Sequence, residues 1–439
     1  MIFRSAKFIL GTDVAITLFS VVTSLVGARA LGPAGRGDLL LVTLWPIVIA
    51  MLTEMGLPNA YRYWMAKEPE RAGRLFSNAV IYTVIIGGAS VVVGDLLVPH
   101  LVAERSPEIM FLVRIYMINI PAVIFLNLMR GLLEGTRRFG WAGAARFIFF
   151  VVQAVGFLSF WLAGRLTVST AAFTMIAAQT TSVSLATVAV WHQLRPRWRP
   201  SWTEFKTSMH YGLRDYAGGV ADYATLRLDQ LMLGAMASSS AMGLYVIAVR
   251  LSEVTTFAAG AAADALMPEV AASREGDNVE ALLARTLRLT IYANLIILVP
   301  LWLAAPLMLR TLFGPNFEPA TTAFRWLLLS AVVWSAGAIV IRGLQGFGHP
   351  GLTTIARFVA AVVTAGALLI LLPRMGITGA AISSLIGYSV LLIVALIALV
   401  HRRQLGFWQY LRPQRRDIPI AKLRALASFS VLNARGTEG

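Results

Sequence analysis

The sequence predicts an all-α, polytopic membrane protein of about twelve transmembrane helices, arranged as two pseudo-symmetric six-helix lobes around a central cavity. Three observations predict it. Of the 439 residues, 57% are hydrophobic and 14% are charged, where soluble chains carry charge on roughly a quarter of their residues. Twelve segments reach the ~20 mostly apolar residues that a spanning helix needs. Short motifs of the first half return in the second at a nearly constant offset.

The first segment follows a two-cation start (Arg4, Lys7) and is too long for the core of a cleaved leader, so it reads as a retained helix. In order, the predicted spans are Phe8–Leu31, Leu39–Ala60, Leu75–Val98, Ile109–Leu133, Ala142–Leu162, Val168–Leu194, Tyr211–Met236, Gly243–Met267, Leu287–Met308, Ala323–Leu344, Leu352–Leu372 and Ile377–Val400. Glycine and proline inside them (Pro46, Pro121, Gly218-Gly219, Gly260) are candidate hinges. The connections are about 20 residues or shorter, too short for a catalytic domain, and the chain is not expected to be an enzyme.

Orientation follows from the basic residues. Counted on alternate sides, 27 Lys and Arg fall with the N-terminus, the even-to-odd connections and the tail, and 8 fall on the other side; Arg214, Arg227 and Arg250 complete the 38. The excess marks the cytoplasmic face, so both termini are expected there, in a bacterial inner membrane. The net charge of +16 therefore sets topology and is no nucleic-acid footprint. After Val400 the tail is basic, and Ile418–Leu432 could either lie on anionic lipid as an interfacial helix or serve as a loose anchor.

The repeat is carried by R-G-L-L-E-G from Arg130 and R-G-L-Q-G from Arg342, by Arg146-Phe147 and Arg357-Phe358, and by Gly37-Asp38-Leu39 and Gly243-Leu244-Tyr245, at offsets of 212, 211 and 206. A six-helix duplication inserts both copies the same way up, related by an axis along the membrane normal. The expected division is an N-terminal lobe over 1–200, a C-terminal lobe over 201–401 and a cytoplasmic tail over 402–439. In such a duplicated plan the substrate site lies between the halves near the midplane.

Ionisable groups in hydrocarbon are costly and face a cavity or one another. Here they concentrate in span 7 (Arg214, Asp215, Asp222, Arg227, Asp229) and span 8 (Arg250, Glu253, Asp264), with Asp13, Glu54 and Arg114 in spans 1, 2 and 4. Asp215, Asp222 and Asp229, seven apart, share a stripe that drifts ~20° per heptad. Asp222 and Arg250 fall at similar depth, which suggests a pair. The arginines Arg214, Arg227 and Arg250, with Arg29 and Arg114 further out, suit an anionic group. Asp13, Asp215, Asp222, Asp229 and Glu253 are candidates for gating or ion coupling. The plainer reading is that these groups only neutralise one another and join span 7 to span 8; Asp264, beside Pro268, fits that role. The absence of cysteine excludes disulfides and thiolate metal sites. The five histidines sit at span ends without ligand spacing, so no metal or cofactor is expected.

The run Ala28-Arg29-Ala30-Leu31-Gly32-Pro33 with Gly37, then Glu54-Met55-Gly56-Leu57, resembles the polysaccharide transporter family, the O-antigen and capsule oligosaccharide flippases of the multidrug/oligosaccharidyl-lipid/polysaccharide exporter superfamily. Arg227-Leu228-Asp229-Gln230-Leu231, Gly243-Leu244-Tyr245 and Ala248-Val249-Arg250-Leu251 are similar to its helix 7 to helix 8 hairpin. The resemblance implies a flippase of undecaprenyl-diphosphate-linked oligosaccharide working by alternating access through a cationic cavity. Its expected partners are the lipid-linked oligosaccharide, membrane lipids, a coupling proton or sodium ion, and other polysaccharide-assembly membrane proteins. Lipid II flippases of the superfamily have fourteen helices, and twelve segments here weigh against that substrate. The alternative is a multidrug and toxin extrusion exporter, which shares the two-lobe plan. A membrane-embedded glycan polymerase or ligase would need a large outer loop, which the chain lacks.

Overall fold

The computed structural model describes residues 2–101, 106–272 and 279–403. The tail, with its predicted interfacial segment, lies outside the described residues, as do the side chains of Asp13, Asp215 and Asp222. Every regular element among the described residues is helical, the state in which an apolar chain satisfies its own backbone in lipid.

The helices follow the predicted spans. α1 (residues 2–31) and α2 (33–67) are two helices joined at a kink at Gly32, whose φ of 66° is open to glycine. Pro33 then supplies a pre-set first turn for α2. α3 is Pro69–Val98, α4 Pro107–Gly135, α5 Phe139–Leu162, α6 Val168–Leu194 and α7 Trp202–Met236. α8 is two pieces, Ser239–Thr256 and Ala258–Ala271, bent by 47°; α9 is Val279–Phe313 and α10 Pro315–Gly346. α11 (350–375) and α12 (377–403) are likewise joined at a kink, at Gly376. Long apolar length alone marks most of these as spans. α7 fails that test because of its charges, yet at 35 residues it is about 52 Å long, enough to cross a bilayer and extend beyond it.

The first half packs around one core from Leu39 to Val190, including Tyr61, Met117, Ile120 and Met129. The second half has two cores, one around Tyr245, Phe317 and Phe324, the other around Leu283, Ile339 and Leu399. Large apolar side chains such as Leu18, Val84, Leu96, Ile296 and Leu303 point outward, where lipid is the solvent.

The repeat is visible in the packing. Gly131 and Gly135 of α4 lie against α2, where a Cβ would come within 2.6 Å of Pro58 O and 2.5 Å of Arg62 O. The corresponding Gly343 and Gly346 of α10 lie against Leu283 of α9 and Val270 of α8. Small residues let membrane helices approach closely, and here they do so at matching places. Arg130 donates to Glu134 in the first copy, and Arg342 to Gln345 in the second.

The hinges sit only partly where glycine and proline suggested. α7 runs unbroken through Gly218-Gly219, whereas α8 bends close to Gly260. α2 breaks at Met55 and Gly56, both at positive φ. That break strips two carbonyls of helical donors, and tyrosine hydroxyls replace them: Tyr82 donates to Thr53 O at 2.5 Å, and Tyr216 of α7 donates to Leu52 O.

Candidate functional site between the lobes

The lobes meet most intimately at the end of the bundle that carries the α1–α2, α7–α8 and α9–α10 connections. The two glycines of the 206-residue repeat face each other there. A Cβ on Gly37 would sit 1.8 Å from Ser239 O, and one on Gly243 would sit 1.8 Å from Pro33 O. Pro33 and Ser239 are themselves repeat equivalents, so the contact is a reciprocal exchange across the pseudo-twofold axis. Two side-chain ties reinforce it. Ser239 donates to Asp38. Arg29 donates to Thr311 O at 2.7 Å and Leu312 O at 2.8 Å. Those carbonyls belong to the π-turn Leu309–Phe313 that ends α9, where helical donors run out.

Further in, α7 and α8 bring three predicted residues together. Arg227 Nη1 is 3.0 Å from Glu253 Oε1, and Arg250 Nη1 is 3.6 Å from Glu253 Oε2. One carboxylate thus serves two guanidiniums. The first half adds Arg36, whose guanidinium lies within electrostatic range of Arg250. Its Nε is buried with no hydrogen-bond partner among the described residues. Arg36 does not reach that carboxylate: its Nη1 lies on the first-lobe side, 3.0 Å from where a Cβ on Gly27 would sit. Among the described side chains, two guanidiniums sharing one carboxylate keep donors that a further anion can use. Arg250 remains half-exposed to the cleft, whereas Arg227 is largely covered.

Deeper in the second lobe, Asp229 is buried and accepts from Tyr245 Oη at 2.5 Å, Ser384 Oγ at 3.1 Å and Gln230 N at 2.7 Å. Tyr245 comes from α8 and Ser384 from α12, so the carboxylate gathers three helices around a polar point inside the lobe.

The other predicted residues stand apart. Arg214 contacts His210 at 2.8 Å and lies thirteen residues, about 20 Å, along α7 from Arg227. That distance prevents both from holding one phosphate group. Arg29 is engaged by the α9 carbonyls. Arg114 lies 3.7 Å from Asp95 within the first lobe, both half-exposed. The expected Asp222–Arg250 pair involves a side chain outside the described residues. Glu54 accepts from Asn127 at 2.6 Å, and Asp264 pairs with Arg342 at 2.9 Å.

Sequence reasoning missed Arg36, which hydropathy leaves in the connection between spans 1 and 2. The available signal was Pro33: a proline able to start a helix there draws Arg36 into α2. Tyr245 stood in the Gly243-Leu244-Tyr245 motif but with nothing to name its partner, and Ser384 carried no signal, since a serine hydroxyl in an apolar helix usually bonds its own backbone.

Residues 26–322 match the family described as Polysaccharide biosynthesis protein, and residues 231–435 match the lipid II flippase MurJ family. Among curated proteins, the probable low-salt glycan biosynthesis flippase Agl15 of Haloferax volcanii is 22% identical over 199 residues. The match covers 44% of this chain and 41% of that relative's length. Among solved structures, lipid II flippase MurJ in an inward closed conformation aligns at TM-score 0.76 and 11% identity, over 91% of this chain and 89% of that one. A multidrug resistance MATE transporter in its inward-facing conformation aligns at 0.71 and 15%, over 89% and 94%. An outward-facing MATE structure aligns at 0.57 and 19%, over 92% and 95%. At such identities the likeness is one of fold.

Proposed function

The chain belongs to the polysaccharide biosynthesis protein family, and from that premise we propose that it is a flippase carrying undecaprenyl-diphosphate-linked oligosaccharide across a bacterial inner membrane by alternating access. The observation that carries this reading is the cationic group at the lobe interface: Arg227 and Arg250 on one carboxylate, Glu253, with Arg36 within electrostatic range of Arg250. A diphosphate bears about two negative charges, and guanidinium forks suit its oxygens. In this reading Arg250 is the primary contact because it is the more exposed of the pair. Glu253 holds the fork of Arg227 and releases the substrate when the lobes rearrange.

With both termini cytoplasmic, the end closed by Gly37, Gly243, Asp38 and Arg29 would be periplasmic, and the transport cycle would open this contact in alternation with the one toward the other end, where α2 meets α7 at Gly56 and Gly212. Asp229, buried among neutral donors, is the coupling candidate: a proton or sodium ion there would neutralise it and alter how α7, α8 and α12 pack. The two halves over 1–200 and 201–401 act as the rocking bodies, and the other membrane proteins of glycan assembly are its natural neighbours.

The overlap with multidrug exporters in fold, and a buried carboxylate of the kind a cation carrier needs, favour one second reading, extrusion of cationic drugs. One strain set separates them. Deleting the gene should abolish or shorten a surface glycan and accumulate its lipid-linked precursor, with dye sensitivity unchanged. Re-expressed Arg250→Ala should fail to restore the glycan although the protein is made, and Arg250→Lys should restore it partly, since it keeps charge and loses the fork. Increased dye accumulation with a normal glycan would overturn the flippase reading.

A further inference from the structure

A groove apart from the Arg227–Arg250–Glu253 group opens between α3 of the first half and the start of α7. Its volume is about 440 Å³, and its walls include Asn78, Tyr82, Ile85, Ser201, Trp202 and Phe205. The lining is almost wholly apolar. Along one side Tyr82, Phe205 and Trp202 form an aromatic ladder, with centroids 5.9 and 5.2 Å apart. Along the other, α3 makes a π-turn at Thr83–Gly87, a local widening that often marks a functional place. Ile85 of that turn is 61% exposed, and Trp202 67%. Gly87 packs against Pro121 behind it, where a Cβ would come within 2.9 Å.

The two ends of the groove differ in chemistry. At its mouth Asn78 and Ser201 bond each other twice, Nδ2 to Ser201 O at 2.9 Å and Ser201 N to Oδ1 at 3.1 Å. Arg199 N donates to Ser77 Oγ at 2.8 Å, so the segment linking the lobes is laid along the start of α3. Lys206 lies over the Trp202 ring at 5.4 Å. Arg197, Arg199 and Lys206 are exposed, and Arg74 is half-exposed. The acids nearby are Glu68, Glu70 and Glu204. Glu204 is buried and held by Arg71 at 2.7 Å; Glu68 is also held by Arg71 at 2.7 Å, whose hydrogen bond keeps its carboxyl below the usual range. The exposed balance at the mouth is therefore positive. Trp191, Trp198 and Trp202 are all exposed around it, as tryptophans are at the headgroup level. From Asn78 to Ile86 the groove descends about 12 Å along α3, close to one leaflet of a ~30 Å hydrocarbon core.

We propose that this groove is a binding site for an anionic phospholipid, one acyl chain lying on Trp202, Phe205 and Ile85 and the phosphate meeting the cations at the mouth. The one-leaflet depth suits an acyl chain; a polyprenyl chain of undecaprenyl length is several times longer. A lipid seated there touches α3, the interlobe segment and α7 at once, and so fastens the linker to the first lobe. The inference stands apart from the transport reading and requires only that the chain spans a bilayer.

The test uses the purified full chain in detergent, with native mass spectrometry of bound dimyristoyl phosphatidylglycerol and of phosphatidylcholine with the same chains. The wild type should retain one phosphatidylglycerol selectively, and its melting temperature should rise with that lipid. Arg199→Gln with Lys206→Gln should weaken retention roughly 30-fold, about fivefold per cation. Ile85→Trp, which fills the groove at an exposed position and leaves every charge in place, should abolish retention with the lipid-free melting temperature unchanged. Equal retention of the two lipids by the wild type would overturn the proposal. So would unchanged phosphatidylglycerol binding in both variants, or one-for-one displacement by undecaprenyl phosphate, which would give the groove to a polyprenyl chain.

Discussion

Replacing Gly37 by alanine isolates the contact that closes one end of the molecule. The φ of Gly37 is not in the left-handed region, so alanine adopts the same backbone and the effect is purely steric. The new Cβ would lie 1.8 Å from Ser239 O and 2.6 Å from its carbonyl carbon. Both are backbone atoms that cannot rotate away. Since real Cβ atoms do not approach closer than 3.0 Å, the lobes must part there by about 1.2 Å. Overpacking of this kind costs about 1–3 kcal/mol. Only the closed state bears this cost, so the equilibrium should shift toward separation by roughly 5- to 150-fold. The chain has no cysteine, so Asp38→Cys with Ser239→Cys introduces the only thiols, and their disulfide reports closure. Gly37→Ala should slow cross-linking at least fivefold, and Gly243→Ala should do the same from the other side. Gly219→Ala, with nothing within 4 Å of the added carbon, serves as the neutral control. Cross-linking of the Gly37→Ala protein at the unmodified rate would refute the tight reciprocal contact.

Two further outcomes are expected. Asp229→Asn keeps a polar side chain for Tyr245 and Ser384 but removes the charge; proton or sodium dependence of transport should vanish while the protein remains folded, and retained ion dependence in membrane vesicles would place coupling elsewhere. A periplasm-active phosphatase fused after Gly439 should be inactive and one inserted within residues 237–241 active, the reverse pattern contradicting the 27-to-8 distribution of basic residues.

Much of this protein is determined along the chain itself. Spanning segments follow from local hydropathy, because a helix in lipid must satisfy its own backbone whatever its neighbours do. The duplication was legible in Arg130, Arg342, Gly37 and Gly243, and the concentration of charge in α7 and α8 in their composition. What the sequence could not give is which side chains meet. Arg227, Arg250 and Glu253 lie on two consecutive helices, so their meeting was half-visible, but that Glu253 serves both arginines depends on the rotation of α8 against α7. Asp229 meets Ser384 across 155 residues, Arg29 meets Leu312 across 283, and Arg36 of the first half lies within electrostatic range of Arg250. Periodicity fixes the face a residue occupies on its own helix. The neighbour that face receives is set by close packing, by glycines that admit a backbone and by breaks such as Met55-Gly56 that free carbonyls for tyrosines on other helices. Those are properties of the assembled bundle, and only the tertiary structure decides them.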